Sequence, residues 1–169
     1  MFVFGVLSGC SSMKKGRGLN NSKLVKTFYV GDEGIQYFFK PLEFKDDNGR
    51  LEMDFTFRHR KELVDSATVN LTIYDETVYK ELSSIILNNN EHSHEISGID
   101  LMYNEASSSE FISRFSIKIP LDFLKLLFDD NQWQVKVNAK DISEVRVYLP
   151  SNKTAKSIDI INRSVFVIL

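Results

Sequence analysis

Leu51-Glu52-Met53-Asp54-Phe55-Thr56-Phe57-Arg58-His59 sets apolar side chains at positions 51, 53, 55 and 57, with polar ones between. Side chains along a strand point alternately to opposite faces, so a period of two describes a strand with one buried face and one wet face. Antiparallel sheets are the ones that tolerate a wet face. The segment before it, Ile35-Gln36-Tyr37-Phe38-Phe39-Lys40, breaks at Pro41 and resumes as Leu42-Glu43-Phe44-Lys45. It returns through Asp46-Asp47-Asn48-Gly49, where Asn-Gly favours a type I′ turn with positive φ at both central residues. Pro41 lacks an amide donor and marks a bulge or an edge. Downstream, Ala67-Thr68-Val69-Asn70-Leu71-Thr72-Ile73-Tyr74 alternates as cleanly, with Val69, Leu71 and Ile73 inward. Three strands with short links suggest a meander or part of a Greek key.

Outward from this centre the pattern continues. Leu24 to Val30 reads as a first strand closed by the turn Gly31-Asp32-Glu33-Gly34. Asp75 to Ser97 reads either as a short helix with Val78, Leu82, Ile85 and Ile86 on one face or as an irregular excursion. Ile99, Leu101 and Tyr103, then Phe111, Phe115, Ile117 and Ile119, predict a second hairpin. Pro120 and Asp122 open a helical turn or two over 121–128. Trp133, Val135, Val137 and Ala139 form the apolar face of a strand, and Val145, Val147 and Leu149 that of the next. Ile158, Ile160, Val165, Val167 and Leu169 suggest a final strand or hairpin. Short alternating strands with little helix predict an all-β fold. The expected form is a two-sheet antiparallel β-sandwich, immunoglobulin-like or transthyretin-like, with one short helical crossover at 120–130; the alternative is a β-barrel.

The chain has 169 residues, 43% of them hydrophobic, with 13 Phe. That is enough for one domain with a full core. The net charge of −2 is unevenly spread. Residues 11–26 carry Lys14, Lys15, Arg17, Lys23 and Lys26 without an acid, or +5, and the remaining 16 bases against 23 acids leave residues 27–169 at −7. An acidic domain is a poor partner for nucleic acid, whose phosphates need clustered Lys and Arg. The basic segment reads as a solvated linker made flexible by Gly16, Gly18, Asn20, Asn21 and Ser22, or as an arm resting on anionic headgroups.

Near the N-terminus, Leu7-Ser8-Gly9-Cys10 follows the apolar run Phe2-Val3-Phe4-Gly5-Val6 and precedes Ser11-Ser12. A Leu, two small residues and a Cys resemble the lipobox of bacterial lipoproteins. The resemblance implies cleavage before Cys10 and lipidation of the Cys10 thiol. It divides the chain into a residual signal peptide (1–9), a basic flexible tether (10–23) and a single β-sandwich domain (24–169). It also implies a bacterial cell-envelope location, with Ser11 permissive for an outer-membrane anchor facing the periplasm. Cys10 is the one cysteine, so the chain forms no internal disulfide.

Beyond Cys10 the candidate chemistry is sparse, and no catalytic residue or cofactor is expected. In Glu91-His92-Ser93-His94-Glu95, His92 and His94 would share one side of a strand, and imidazole suits zinc or copper. A catalytic zinc needs a third protein ligand, and the one other histidine, His59, is remote in sequence. Asp46-Asp47-Asn48-Gly49 and Asp129-Asp130-Asn131 read as turns, not calcium loops. Gly-x-Ser-x-Gly, Walker and Gly-x-Gly-x-x-Gly patterns are absent from the sequence. Phe38 and Tyr148 fall out of phase with their strands' apolar faces and are expected to be exposed aromatics. The function expected first is non-enzymatic: a lipid-anchored interaction or structural subunit of an envelope assembly, held to the membrane by Cys10 and bound to an envelope protein. A ligand-binding lipoprotein for glycan, lipid or metal, and a hydrolase with a spatially assembled site, are the alternatives.

Overall fold

The computed structural model describes residues 23–59 and 66–167. Cys10, the segments 1–9 and 10–22 and the link 60–65 lie outside the described residues. In chain order the strands are β1 (Val25–Tyr29), β2 (Ile35–Phe39), β3 (Leu42–Lys45), β4 (Arg50–His59), β5 (Ser66–Asp75), β6 (Leu82–Asn88), β7 (Ser93–Ile96), β8 (Asp100–Ala106) and β9 (Phe111–Pro120). Helix α1 (Leu121–Phe128) follows, then β10 (Gln134–Ala139), β11 (Arg146–Pro150), helix α2 (Asn152–Ile161) and a π-helical turn, Asn162–Phe166.

The opening stretch is β4, the strand on which the larger sheet is built. β2 pairs with its second half (Tyr37 opposite Phe57), β3 with its first half (Phe44 opposite Leu51), and β5 runs along its other edge (Phe55 opposite Val69). Lys40 and Pro41 are the break between β2 and β3, so Pro41 marks an interruption in one long partner strand. β9 and then β8 extend the sheet beyond β5. The smaller sheet is β7-β6-β10-β11. β11 belongs to both: Arg146, Val147 and Tyr148 pair with β10, and Leu149 and Pro150 pair with β3. The hydrogen-bonded path β7-β6-β10-β11-β3-β4-β5-β9-β8 is open at β7 and β8, so the sandwich does not close into a barrel.

One core joins both sheets and the helices. Trp133, just before β10, stacks on Phe44 of β3 and meets Phe55 and Phe128 edge-on. Phe128 of α1 and Phe166 of the π turn pack on each other and on Phe39. Phe57 stacks on Phe166. α1 crosses from β9 in the larger sheet to β10 in the smaller. Its last carbonyls, those of Leu126 and Leu127, accept hydrogen bonds from Asn89 Nδ2. The other end of the same amide, Asn89 Oδ1, accepts the backbone N–H groups of Glu91 and His92. One buried side chain therefore shapes the β6–β7 turn and satisfies the exposed end of a helix.

Three expectations need correction. Asp75 to Ser97 is not a helix, and only part of it is irregular: residues 76–81 are, but Ile85 and Leu87 are core residues of β6, and Ile96 of β7. The C-terminal strand or hairpin is instead α2 and the π turn. Ser151 caps α2, its Oγ accepting the Thr154 N–H, and Ile158, Ile161 and Val165 fall on the buried face at helical spacing. The β3–β4 turn is not type I′, because among the described residues positive φ occurs only at Gly31, Gly34 and Gly98. Asp46 Oδ1 holds the turn instead, accepting the N–H groups of Asn48 (3.0 Å) and Gly49 (2.7 Å). Glycine is needed at 49 for space: a Cβ there would lie 2.4 Å from Tyr74 O. Gly49→Ala should lower unfolding stability by about 1–3 kcal/mol, measured by denaturation followed on the single Trp133. An unchanged midpoint would mean that this turn does not press against the end of β5.

Candidate functional site

β11 inverts its expected phase. Arg146 and Tyr148 point inward, and Val145, Val147 and Leu149 point out, with exposures of 49%, 39% and 49%. Tyr148 is fully buried, so the expectation that it is exposed is wrong. Side chains alternate, so a one-residue difference of phase exchanges the two faces of the strand.

The inward slots are held by charge. Asp46, in the β3–β4 turn, accepts a hydrogen bond from Arg146 Nε through Oδ2 at 2.5 Å. Arg146 Nη2 lies 3.1 Å from Oδ2 of the buried Asp75 at the end of β5, an ion pair without hydrogen-bond alignment. The same Asp75 oxygen accepts from Tyr79 Oη at 3.3 Å, and its Oδ1 accepts from Thr77 N at 2.8 Å. Tyr79 N donates to the buried Ser113 Oγ of β9. The guanidinium also lies 5.9 Å from the centre of the Tyr148 ring. The Tyr148 hydroxyl is buried beside that of Tyr79, with no aligned hydrogen-bond partner among the described residues.

These contacts set the protonation states. Burial alone would raise the Asp46 pKa, but hydrogen bonds from Arg146 and from the amides of Asn48 and Gly49 outweigh it, and the net shift is downward. The bond to Asp46 raises the Arg146 pKa against the opposing effect of burial. Burial pushes the Tyr79 hydroxyl up, and burial with Tyr79 alongside pushes Tyr148 up further. At neutral pH Asp46 is a carboxylate, Arg146 a cation, and Tyr79 and Tyr148 neutral phenols. Each carboxylate is already engaged by donors, so the arrangement suits holding strands in place better than transferring protons.

Outside this cluster, Val147 and Leu149 lie beside Lys136 of β10 and Lys45 of β3 as register partners. The result is an aliphatic stripe flanked by lysines. Two clefts open among the described residues, the first of them bordered by Asp75 and Gly49 of the cluster. One, of about 290 Å³, is lined by Lys45, Arg50, Tyr74 and Glu110 among others. There Arg50 binds both Glu110 oxygens at 3.1 Å and stacks on Tyr74 at 3.7 Å. The other, of about 480 Å³, is lined by Lys23, Lys40, Lys153 and the side chains around the start of α2.

The remaining candidates are dispersed. Phe38 is exposed, as its phase implies, and meets Phe28 edge-on at 5.6 Å. The His94 ring packs against Phe123 at 4.8 Å, and His92 Nε2 lies 3.9 Å from Glu91. Among the described residues no three His, Cys, Asp or Glu side chains gather as a metal site around them. Sequence reasoning missed Arg146, Asp46, Asp75 and Tyr79 as a unit. The available signal was an Arg at a strand position between apolar residues, which requires an acid from elsewhere if it faces inward. The site and fold together define an all-β sandwich that presents apolar strand faces to its surroundings. No protein family, no curated protein and no solved structure matches the chain.

Arg146→Ala leaves Asp46 and Asp75 without their cation and should destabilise by about 3–5 kcal/mol. Tyr148→Phe removes an unsatisfied buried hydroxyl and should be neutral or stabilising by up to about 1 kcal/mol; a loss of stability would show that the hydroxyl is bonded. The Asp46 contribution has a defined pH window. Its folded pKa is depressed, so its stabilisation is complete above the ordinary value of 3.8 and is lost as pH falls through the lower folded value. The stability difference between wild type and Arg146→Ala should therefore narrow below that pH, as measured by denaturant titrations across the acid range. A constant difference would remove Asp46 from the account.

Proposed function

We propose that this protein is a lipid-anchored, non-enzymatic interaction module of the bacterial cell envelope, tethered through Cys10 and presenting β11 to an envelope protein. The observation that carries the reading is the outward Val145-Val147-Leu149 stripe. Burying such side chains is worth about 1.5–3 kcal/mol each, yet β11 and the residue before it turn them to solvent and point Arg146 inward in their place. Contiguous exposed apolar surface rimmed by polar groups is the usual form of an interaction site. Lys136, and Lys45 with its ion-pair partner Glu43 at 3.2 Å, supply that rim, and Lys136 favours a partner whose apolar strip is edged by an acid. The lipobox-like Leu7-Ser8-Gly9-Cys10 supports the anchor, with an outer-membrane position facing the periplasm.

Two measurements test this. Intact mass and fractionation of the protein expressed from its native upstream region should show acylated Cys10 in the membrane, and Cys10→Ala should be soluble. A photo-crosslinking residue at Val147 should give a discrete adduct in cells, and Leu149→Asp, at an exposed position, should remove it while leaving the melting temperature unchanged. The same adduct from a crosslinker at Ser107, in the β8–β9 turn, would argue against a β11 interface.

A further inference from the structure

The tether enters the fold beside a second exposed patch, on the outer face of β1 and β2. Lys26 and Phe38 are directly opposed across the two strands, and Phe28 lies two residues along on the same face, opposite Gln36. Phe28 is 56% and Phe38 41% exposed, and the two rings meet edge-on at 5.6 Å. Lys23, Lys26 and Lys40 are all exposed at the open end of this hairpin. Lys23 and Lys40 also line the 480 Å³ cleft, where Lys153 makes three lysines against Glu43 and Glu52. Asp32 and Glu33 belong to the turn at the opposite end, Gly31–Glu33. On the adjoining face, Asp54 of β4 is already paired with Arg114 at 2.7 Å and Glu43 of β3 with Lys45 at 3.2 Å, and Glu52 accepts from Tyr74 Oη.

We infer that this face is a docking surface for an anionic lipid bilayer. Three observations choose that occupant. The charge is complementary and polar along the chain: residues 11–26 carry +5 with no acid, whereas residues 27–169 carry −7. An anionic surface draws the basic end in and pushes the acidic remainder away. The side-chain types suit the water–lipid boundary, where aromatic rings enter the headgroup region and lysine stems reach back to phosphates. The patch also carries the last two lysines of that basic stretch, Lys23 and Lys26, both exposed. The lipid-anchored reading supplies the location, but the attraction itself does not depend on acylation.

The test separates the two. Full-length Cys10→Ala protein, which cannot be acylated, is sedimented with vesicles of phosphatidylglycerol mixed into phosphatidylcholine and with phosphatidylcholine alone. It should partition onto the anionic vesicles in a salt-sensitive way and stay free of the neutral ones. Phe28→Ser with Phe38→Ser, and separately Lys26→Glu with Lys40→Glu, should each lower that partitioning about tenfold, with circular-dichroism melting as the check on folding. The lysine pair, being fully on the surface, keeps the test decisive if the phenylalanine variant melts early. Absence of binding, equal binding to neutral vesicles, or lysine-pair binding equal to wild type would each overturn the inference. Failure of Cys10 acylation in cells would leave a positive vesicle result standing, and a negative vesicle result would leave the acylation result untouched.

Discussion

The Arg146 guanidinium, held by Asp46 and Asp75, is the constraint on which the arrangement of strands depends. Asp46 comes from the β3–β4 turn, Asp75 from the end of β5 and Arg146 from the strand shared by the two sheets. Removing a buried charge's partner is far more damaging than replacing the whole group with apolar side chains. The cluster therefore specifies more than it stabilises. The opposite phase of β11 would bury three aliphatic side chains but leave two carboxylates facing the core without a cation. The turn closes the logic, because Asp46 is positioned by the backbone amides of Asn48 and Gly49, and Gly49 has no Cβ to strike Tyr74 O.

Around that cluster the aromatic side chains do the space filling. Trp133, Phe128 and Phe166 come from segments that are not strands, and they cover Phe39, Phe44, Phe55 and Phe57 of the larger sheet. The inner face of the larger sheet is thus covered partly by the smaller sheet and partly by α1 and the C-terminal helical segment. Offset and edge-on rings add about 0.5–1.5 kcal/mol per pair beyond burial, so the cover is held by geometry as well as by area. Asn89 links the β6–β7 turn to the end of α1, so the smaller sheet and the crossover helix position each other.

The outer surfaces follow from these inner choices. Fixing Arg146 inward turns Val145, Val147 and Leu149 outward, and the break at Lys40 and Pro41 leaves β1 and β2 alongside the second half of β4, with Phe28 and Phe38 on the outer face. The proposed membrane contact at β1–β2 and the proposed partner contact at β11 would together let the domain hold a fixed orientation while it binds. The edge strand β8 is blunted by a register shift at Met102 and by Asp100 and Glu105, a usual defence against unwanted strand pairing.

The sequence by itself determined the β4 hairpin, the β4–β5 pairing and the α1 crossover, because in each the apolar period matches a single burial pattern; it also located the β8–β9 hairpin, although β8 is exposed along its whole length. It also placed Phe38 on the surface. The phase of β11 was decided only by tertiary structure: Arg146-Val147-Tyr148-Leu149 can present either face inward, and the choice rests on acids 100 and 71 residues earlier in the chain. The C-terminal segment was ambiguous for a related reason. Ile158, Ile160, Val165 and Val167 fit a strand period and Ile158, Ile161 and Val165 a helical one, and the groove left by Phe39, Phe57 and Phe128 accepts the helix. A local pattern records which side chains avoid water, but long-range pairing of charge and shape selects which face they turn to.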